Sequence, residues 1–431
     1  MNLALIGERL SHSYSAYIHN ALGSGYQLVQ LPRATVAEFV KTNGLDGYNV
    51  TIPYKEEVIP HLDWVSGGAS AIGAVNTVTK CGGKSFGHNT DLVGMWAAFL
   101  RRGISLNGKT VMILGGGGTS KTAQALSAGA AHVYVVGRNG AINYDNYTNY
   151  AADTDILINT TPVGMYPDMD AAPLSLKPFT RLKFVFDAIY NPKETELLYE
   201  AHVLGIPVEN GLFMLAAQAK FAYDLFGAYY NADARGLPAP KDGSRRLLTA
   251  PDGCTKSGVA EIERLYNLLR LKTCNIVLIG MPGCGKSSKG RVIADTLSYE
   301  FVDTDDLIVR AAGKSIPEIF ADGGEAVFRD YEEAAVREAA ARKNAVIAVG
   351  GGAVLRGENR KRLRRCGTVV YVKRDLNELA FDGRPLSKDA AAVEKMYGVR
   401  KPLYEGTADV TAEGRGTVEE CAADILRLLG R

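Results

Sequence analysis

Two stretches of this chain hold residues whose types and spacing could do chemistry. The first is Gly280-Met281-Pro282-Gly283-Cys284-Gly285-Lys286-Ser287, which fits G-x-x-x-x-G-K-[ST] at every position. In such a loop the glycines let backbone N–H groups turn inward around phosphates. Lys286 would reach the β/γ-phosphates of a nucleoside triphosphate, and Ser287 would ligate Mg²⁺. Gly283, Gly285 and Ser288 complete the cradle. Residues 299–305 then read as a strand ending in two carboxylates, Asp303 and Asp305. Alternate residues of a strand share a side, so both are expected to face the phosphates, one for magnesium and one for an acceptor hydroxyl. A D-x-D at a strand end is otherwise a solvated turn. Arg329, Arg384 and Arg400 each stand beside turn signals, as do Gly350-Gly351-Gly352. Singly these are surface arginines; together they suggest an anion site.

The second stretch is spread over the first half. Gly115-Gly116-Gly117-Gly118-Thr119 follows a short apolar run, as in loops that hold the pyrophosphate of a dinucleotide. The next apolar run ends Val136-Gly137-Arg138-Asn139, with no acid before Asp145. An acid there binds the ribose 2′-hydroxyl of NAD, whereas an arginine suits a 2′-phosphate. NADP is therefore favoured. Upstream lie Ser11-His12-Ser13-Tyr14-Ser15, Asn49-Val50-Thr51-Ile52-Pro53-Tyr54-Lys55, Ala74-Val75-Asn76-Thr77 and His88-Asn89-Thr90-Asp91. Taken one at a time, a surface lysine, a cap serine and a turn aspartate are the ordinary readings.

The elements that must position these residues are legible at coarse grain. Thr110–Leu114, His132–Val136 and Asn275–Ile279 read as strands, the first and last each followed by a glycine loop and a helix. The fold class is α/β: an α/β substrate part and a Rossmann part, then a P-loop domain with a parallel sheet. Residues 1–230 form the first domain, with the substrate part at about 1–92 and 210–230 and the dinucleotide part at about 93–209. Residues 232–256 are rich in turn formers and read as a linker. Within the linker region 231–273, residues 259–271 carry Ile262, Leu265, Tyr266, Leu268 and Leu269 at helical spacing. Residues 274–431 form the last domain.

Composition sets the frame. The 431 residues are 46% apolar and 22% charged, which suits folded globular domains and excludes a disordered or collagenous chain. The formal charge of +2 gives no ground for a nucleic-acid or membrane partner. The start, MNLALIGERLSHS, is too short and polar to read as a signal peptide. The six cysteines are scattered without C-x-x-C spacing. They fit a reducing cytoplasm rather than a disulfide or zinc framework.

The motifs of the second half arrive in the order of one family: phosphate loop, F-x-D-x-D, F-R-x-x-E, G-G-G, R-P-L and R-x-P-L-Y. Residues 274–430 closely resemble shikimate kinase. The resemblance implies that Ser287 and Asp303 hold magnesium and that Asp305 hydrogen-bonds the attacking hydroxyl of shikimate. It also implies that Arg329 and Arg400 grip the shikimate carboxylate, that Gly351 binds ring hydroxyls, and that Arg384 in a lid reaches the transferring phosphoryl of ATP. The family's lid usually carries a further arginine before R-P-L; this chain reads Leu379-Ala380-Phe381-Asp382-Gly383 there.

Residues 3–227 resemble shikimate dehydrogenase, through S-x-S, N-V-T-x-P-x-K, A-x-N-T, N-T-D, the glycine loop, N-T-T-P-x-G-M and G-L-x-M-L-x-x-Q. This resemblance implies that Ser13 and Ser15 hold the substrate carboxylate. Thr51, Asn76 and Gln218 would bind ring oxygens, with Tyr190 nearby. Lys55 and Asp91 would flank the reacting carbonyl. Gly115, Gly117, Gly118 and Thr119 would cradle pyrophosphate, Arg138 would face the 2′-phosphate, and Gly211 would lie near the nicotinamide. Together the two resemblances imply 3-dehydroshikimate reduction with NADPH followed by shikimate phosphorylation with ATP and Mg²⁺. The small molecules 3-dehydroshikimate and shikimate are then the partners, and the oligomeric state stays open. The alternatives are a half that only senses shikimate or quinate, and a dehydrogenase that prefers quinate.

Overall fold

The computed structural model describes residues 1–10, 13–166, 168–240, 256–379 and 390–430. Arg384, the stretch 380–383 and linker residues 241–255 lie outside them. The chain divides into two compact units. One comprises Met1–Tyr190 with Thr195–Leu269, the other Asn191–Glu194 with Arg270–Arg431.

The first unit holds two sheets. Strands β1 (Asn2–Gly7), β2 (Gly25–Gln30), β3 (Gly47–Val50), β4 (Trp64–Val65), β5 (Thr77–Cys81) and β6 (Lys84–His88) form a mixed sheet in the order β2-β1-β3-β5-β6-β4. β2, β1 and β3 run parallel, while β5 runs antiparallel to both β3 and β6. β1 and β3 are apolar along most of their length and largely buried, as strands covered on both faces must be.

The second sheet is wholly parallel. It holds β7 (Thr110–Leu114), β8 (His132–Val136), β9 (Ile156–Asn159), β10 (Phe184–Asp187) and β11 (Val208–Asn210) in the order β11-β10-β9-β7-β8. β7 lies between β8 and β9, so the chain order reverses beside it. In doubly wound sheets ligands bind at the carboxyl ends of the strands, at that reversal. The loops after β7 and β9 carry Gly115 and Thr160 respectively.

Two helices tie these sheets together. The Asp91–Arg101 helix and the 24-residue Gly211–Ala234 helix pack closely. A methyl group on Gly94 would lie 2.8 Å from the Gln218 Cβ and 2.8 Å from the Met214 carbonyl. Only glycine admits that approach. The helix read from residues 259–271 forms as Lys256–Thr273, and its Ile262, Leu265 and Leu269 join the apolar core of the first unit. The turn-rich text from residue 232 begins inside the long helix, and the described residues after it fold back. Leu237 N–H donates to the Ala232 carbonyl, and the Tyr229 hydroxyl donates to the Pro240 carbonyl at 3.1 Å.

In the second unit β12 (Asn275–Ile279), β13 (Glu300–Asp303), β14 (Ala345–Ala348), β15 (Gly367–Lys373) and β16 (Val410–Glu413) form a parallel sheet in the order β13-β14-β12-β15-β16. One expectation fails here. Asp303 and Asp305 do not alternate along a strand: β13 ends at Asp303, and a helix runs over Thr304–Ala312. The Asp303 carboxylate caps that helix, accepting from the Asp305 N–H at 3.0 Å. An aspartate before a polar-apolar helical pattern is a preferred cap, and that local signal outweighs continuation of the strand.

Candidate active sites

Two cavities open at the carboxyl ends of the first unit's strands. The larger, about 820 Å³, is lined by Gly115, Gly116, Gly117, Gly118, Thr119 and Arg138, with Tyr144, Thr160 and Thr161. Methyl groups on Gly116 and Gly117 would project into open space. Packing therefore leaves an open cradle over the N-terminus of the Gly118–Leu126 helix, whose N-cap, Gly117, has no side chain to cap it. Such an end presents free N–H groups and a positive dipole to an anion. Arg138 stands two residues beyond β8 in the same cavity. A dinucleotide phosphate, with a further phosphate at Arg138, fits this donor set.

The second cavity, about 620 Å³, gathers Ser13, Ser15, Thr51, Asn76, Tyr190, Gly211 and Gln218 around Lys55 and Asp91. Ile52, Lys55 and Thr119 line both cavities. The Lys55 ammonium donates to the Asp91 carboxylate at 2.6 Å, and both side chains are mostly buried. Lys55 follows β3, with its carbonyl held by the Val75 N–H. Asp91 opens its helix, where an acid is favoured by the helix dipole.

A buried amide network sets the far wall. Tyr26 donates to Asn49 Oδ1 at 2.7 Å, and Asn49 donates to the Asn76 carbonyl and to Thr77 Oγ1. Asn76 in turn receives the Thr90 N–H at 2.7 Å, one residue before Asp91. Thr90 Oγ1 reaches Gln218 at 3.4 Å. Ser13 Oγ accepts from the Ser15 N–H, so both hydroxyls sit on one turn, and the Tyr14 ring meets Tyr190 edge-on at 6.1 Å.

In the second unit Gly283 and Gly285 take left-handed backbone, with φ of 81° and 83°. The Lys286 ammonium folds over the loop, donating to the Gly280 and Met281 carbonyls at 2.9 Å each. Ser287 Oγ donates to Asp303 Oδ2 at 2.6 Å. A hydroxyl and a carboxylate this close form half of a hard-cation site, with phosphates and water supplying the rest in the usual pattern. Ser288 is the third residue of the Lys286–Leu297 helix. Lys289, buried beside the loop, donates to the Cys284 carbonyl at 2.6 Å, and burial lowers its ammonium pKa.

Asp305, Arg329 and Arg400 converge on Glu332. Arg329 donates to Glu332 at 2.7 Å and to Glu325 at 2.8 Å. Burial pushes the Glu332 carboxyl up; Arg329 opposes this, Asp305 adds to it, and Arg400 also opposes it. Glu332 Oε1 is buried and has no hydrogen-bond partner among the described residues. Methyl groups on Gly350 and Gly352 would run into Asp305 and Glu332 and into the Arg329 guanidinium, respectively. The Tyr404 hydroxyl donates to the Gly351 carbonyl at 2.5 Å.

Comparison with known proteins places this geometry. Residues 5–78 match the model of the shikimate dehydrogenase substrate binding domain, and residues 282–430 match that of shikimate kinase. Shikimate dehydrogenase (NADP(+)) of Clostridium perfringens is 35% identical over 245 residues, covering 52% of this chain and 90% of that protein. The chain belongs to the shikimate dehydrogenase family. Its C-terminal half carries a shikimate kinase domain, and the whole is an enzyme joining the two. Shikimate dehydrogenase 1 from Peptoclostridium difficile is 31% identical, covers 63% of this chain and 98% of that one, and superposes with a TM-score of 0.51. A shikimate kinase from Acinetobacter baumannii, solved with shikimate, is 34% identical and covers 38% of this chain and 96% of that one, at a TM-score of 0.36.

The dehydrogenase unit thus brings all its sequence-expected residues to two adjoining cavities. The kinase unit joins Ser287 with Asp303, and Asp305 with Arg329 and Arg400 around Glu332, while the Gly351 carbonyl is held by Tyr404. Arg384 lies outside the described residues. Sequence reasoning passed over Asn49, Lys289 and Glu332 as members of these sites. Asn49 stands in N-V-T and Glu332 ends F-R-x-x-E, so each had a motif signal. Lys289 had none, because its partner is a backbone carbonyl.

Proposed function

We propose that the dehydrogenase unit reduces 3-dehydroshikimate to shikimate with NADPH, and that the kinase unit phosphorylates shikimate at its 3-hydroxyl with ATP and Mg²⁺. The observation that carries the reading is the position of Lys55. It lines both cavities and is paired with Asp91 at 2.6 Å, so a carbonyl bound in one cavity meets it beside a nicotinamide held in the other. NADPH supplies the hydride. Lys55 donates a proton to the forming alkoxide and steadies its charge. Asp91 aims the ammonium. Ser13 and Ser15 offer paired hydroxyls to a carboxylate, while Thr51, Asn76 and Gln218 offer donors and acceptors to ring oxygens. Arg138 meets the 2′-phosphate.

For phosphoryl transfer, positioning and charge neutralisation do most of the work. Lys286 would move from the loop carbonyls to the phosphates. Ser287 and Asp303 would hold magnesium. Asp305 accepts the proton of the 3-hydroxyl, while Arg329 and Arg400 hold the carboxylate. Both proposed reactions share shikimate, which supports each reading through the other. The test gives purified protein 3-dehydroshikimate, NADPH and Mg-ATP, and follows NADPH absorbance and ADP release. Both should run, with ADP release dependent on prior reduction. Quinate oxidised faster than shikimate, or NADH used as well as NADPH, would reassign the first reaction.

A further inference from the structure

Asp187 ends β10 and is fully buried. Its Oδ1 accepts from the Ile189 N–H and from Asn159 Nδ2, each at 3.0 Å. Its Oδ2 accepts from Thr195 Oγ1 at 2.7 Å. Asn159 passes the connection on: its Oδ1 accepts from the Thr161 N–H at 3.0 Å and from Thr161 Oγ1 at 2.8 Å. The Asn159 carbonyl accepts from the Ala188 N–H, and the Ile189 carbonyl accepts from the Gly211 N–H. Thr160 and Thr161 line the nucleotide cavity, whereas Ala188, Tyr190 and Gly211 line the substrate cavity. One carboxylate therefore sits behind both walls and touches neither cavity.

Burying a carboxyl without a cation is costly. Burial pushes this one up to about 6, against the pull of its three hydrogen bonds. An apolar residue of similar size would avoid that cost but could not tie three loops together. We propose that Asp187 is a positioning residue that fixes the nucleotide wall at Thr160–Thr161 relative to the substrate wall at Ala188–Tyr190, so that hydride donor and acceptor stand at reacting distance. This rests on the dehydrogenase reading above.

The chemistry allows a discriminating pair of variants. Asp187→Ala removes the hub. Asp187→Asn keeps its shape: the amide oxygen can accept from Ile189 and Asn159, and the amide NH₂ can donate to the Thr195 hydroxyl, which accepts as well as donates. Full-length protein is assayed in the shikimate–NADP⁺ direction at pH 8, with the KM for each ligand and kcat determined separately. Asp187→Ala should raise both KM values and lower kcat by roughly tenfold or more, because misplacement of about 1 Å is enough to cost that much. Asp187→Asn should return all three close to wild type. A change in thermal midpoint with neither KM altered overturns the proposal, as does a rise in only one KM or an Asn variant no better than Ala. If Asp187→Ala proves insoluble, Asn159→Ser carries the same test, since a serine cannot bridge from Asp187 to Thr161. A joint rise in both KM values is expected, and no joint rise overturns the proposal. Wild-type protein that fails to oxidise shikimate would instead overturn the dehydrogenase reading, so the two failures are told apart.

Discussion

Among single residues, two buried groups of the dehydrogenase unit that titrate at acid pH are shifted in opposite senses. His19 is buried and stacked on Tyr26, with ring centroids 4.1 Å apart. Burial lowers it from 6.5 to about 3, against a hydrogen bond to Asn49. The folded state keeps it neutral while the unfolded chain takes up a proton below pH 6.5. Its contribution to stability is therefore complete above 6.5 and is lost as pH falls toward 3. Asp187 runs the other way. Its carboxyl, raised to about 6 from 3.8, ionises first in the unfolded chain, so stability is lost as pH rises from about 3.8 to 6. Each slope approaches roughly 1.4 kcal/mol per pH unit, and between about pH 4 and 6 they largely cancel. His19→Phe removes one and exposes the other. Relative to wild type, this variant should gain about 1.4 kcal/mol for each unit that pH falls below 6.5. Urea midpoints at three pH values between 4.5 and 6.5 check it. A constant difference between the two proteins would show that His19 titrates normally.

At the scale of elements, catalytic geometry depends on how closely two helices approach. Gly94 lies one turn after Asp91 and faces Gln218. Alanine is the better helix former by about 1 kcal/mol, yet its methyl group would meet backbone and Cβ atoms at 2.8 Å. Steric cost wins: Gly94→Ala should destabilise the unit by about 1–3 kcal/mol. It should also cut reductase kcat/KM roughly tenfold or more by moving Asp91 away from Gln218. ATP-dependent phosphorylation of added shikimate should be unchanged. Chemical denaturation and the two assays, run on one preparation, measure all three. Elements were also where the sequence was most readable. Thr110–Leu114, His132–Val136 and Asn275–Ile279 form strands over the very residues read, because each is a short apolar run bounded by turn formers. The failure at Asp303–Asp305 is equally local: period-2 reasoning ignored a helix cap. The strand order β2-β1-β3-β5-β6-β4, the Gly94 contact and the Asp187 hub were not legible, since each depends on pairs far apart in the chain. Site residues within spaced motifs could be named in advance, whereas the residues that hold them in place could not.

For the whole molecule, the helix Lys256–Thr273 decides where the reductase part can be cut. Its Ile262, Leu265 and Leu269 are buried in the first unit's core, and Tyr266 packs against Phe213. Arg101 stacks on both Phe213 and Tyr266 and pairs with Glu263 at 2.9 Å. Burying three such side chains contributes about 4–9 kcal/mol, comparable to the entire stability of a typical domain. A fragment of residues 1–271 should therefore keep NADPH-dependent reduction. One of residues 1–240 should melt at a much lower temperature or be insoluble. Equal melting of the two fragments would show that the helix adds nothing to the core. Within the intact chain, a crossed pair of variants tests the assignment of both chemistries. Lys55→Ala removes the proposed proton donor but leaves the glycine loop, Ser13, Ser15 and Gln218. Loss of a general acid typically costs about 10²–10⁴ in rate, so reduction should collapse while NADPH still binds and added shikimate is still phosphorylated. Asp305→Asn removes the carboxylate proposed to take the hydroxyl proton but leaves Lys286, Ser287 and Asp303, the residues proposed to hold Mg-ATP. Phosphorylation should stop, and reduction should continue and release shikimate. Near-normal reduction by Lys55→Ala would remove that lysine from the mechanism. Loss of both activities in either variant, with the circular dichroism of the folded protein retained, would mean that the two chemistries are coupled rather than independent.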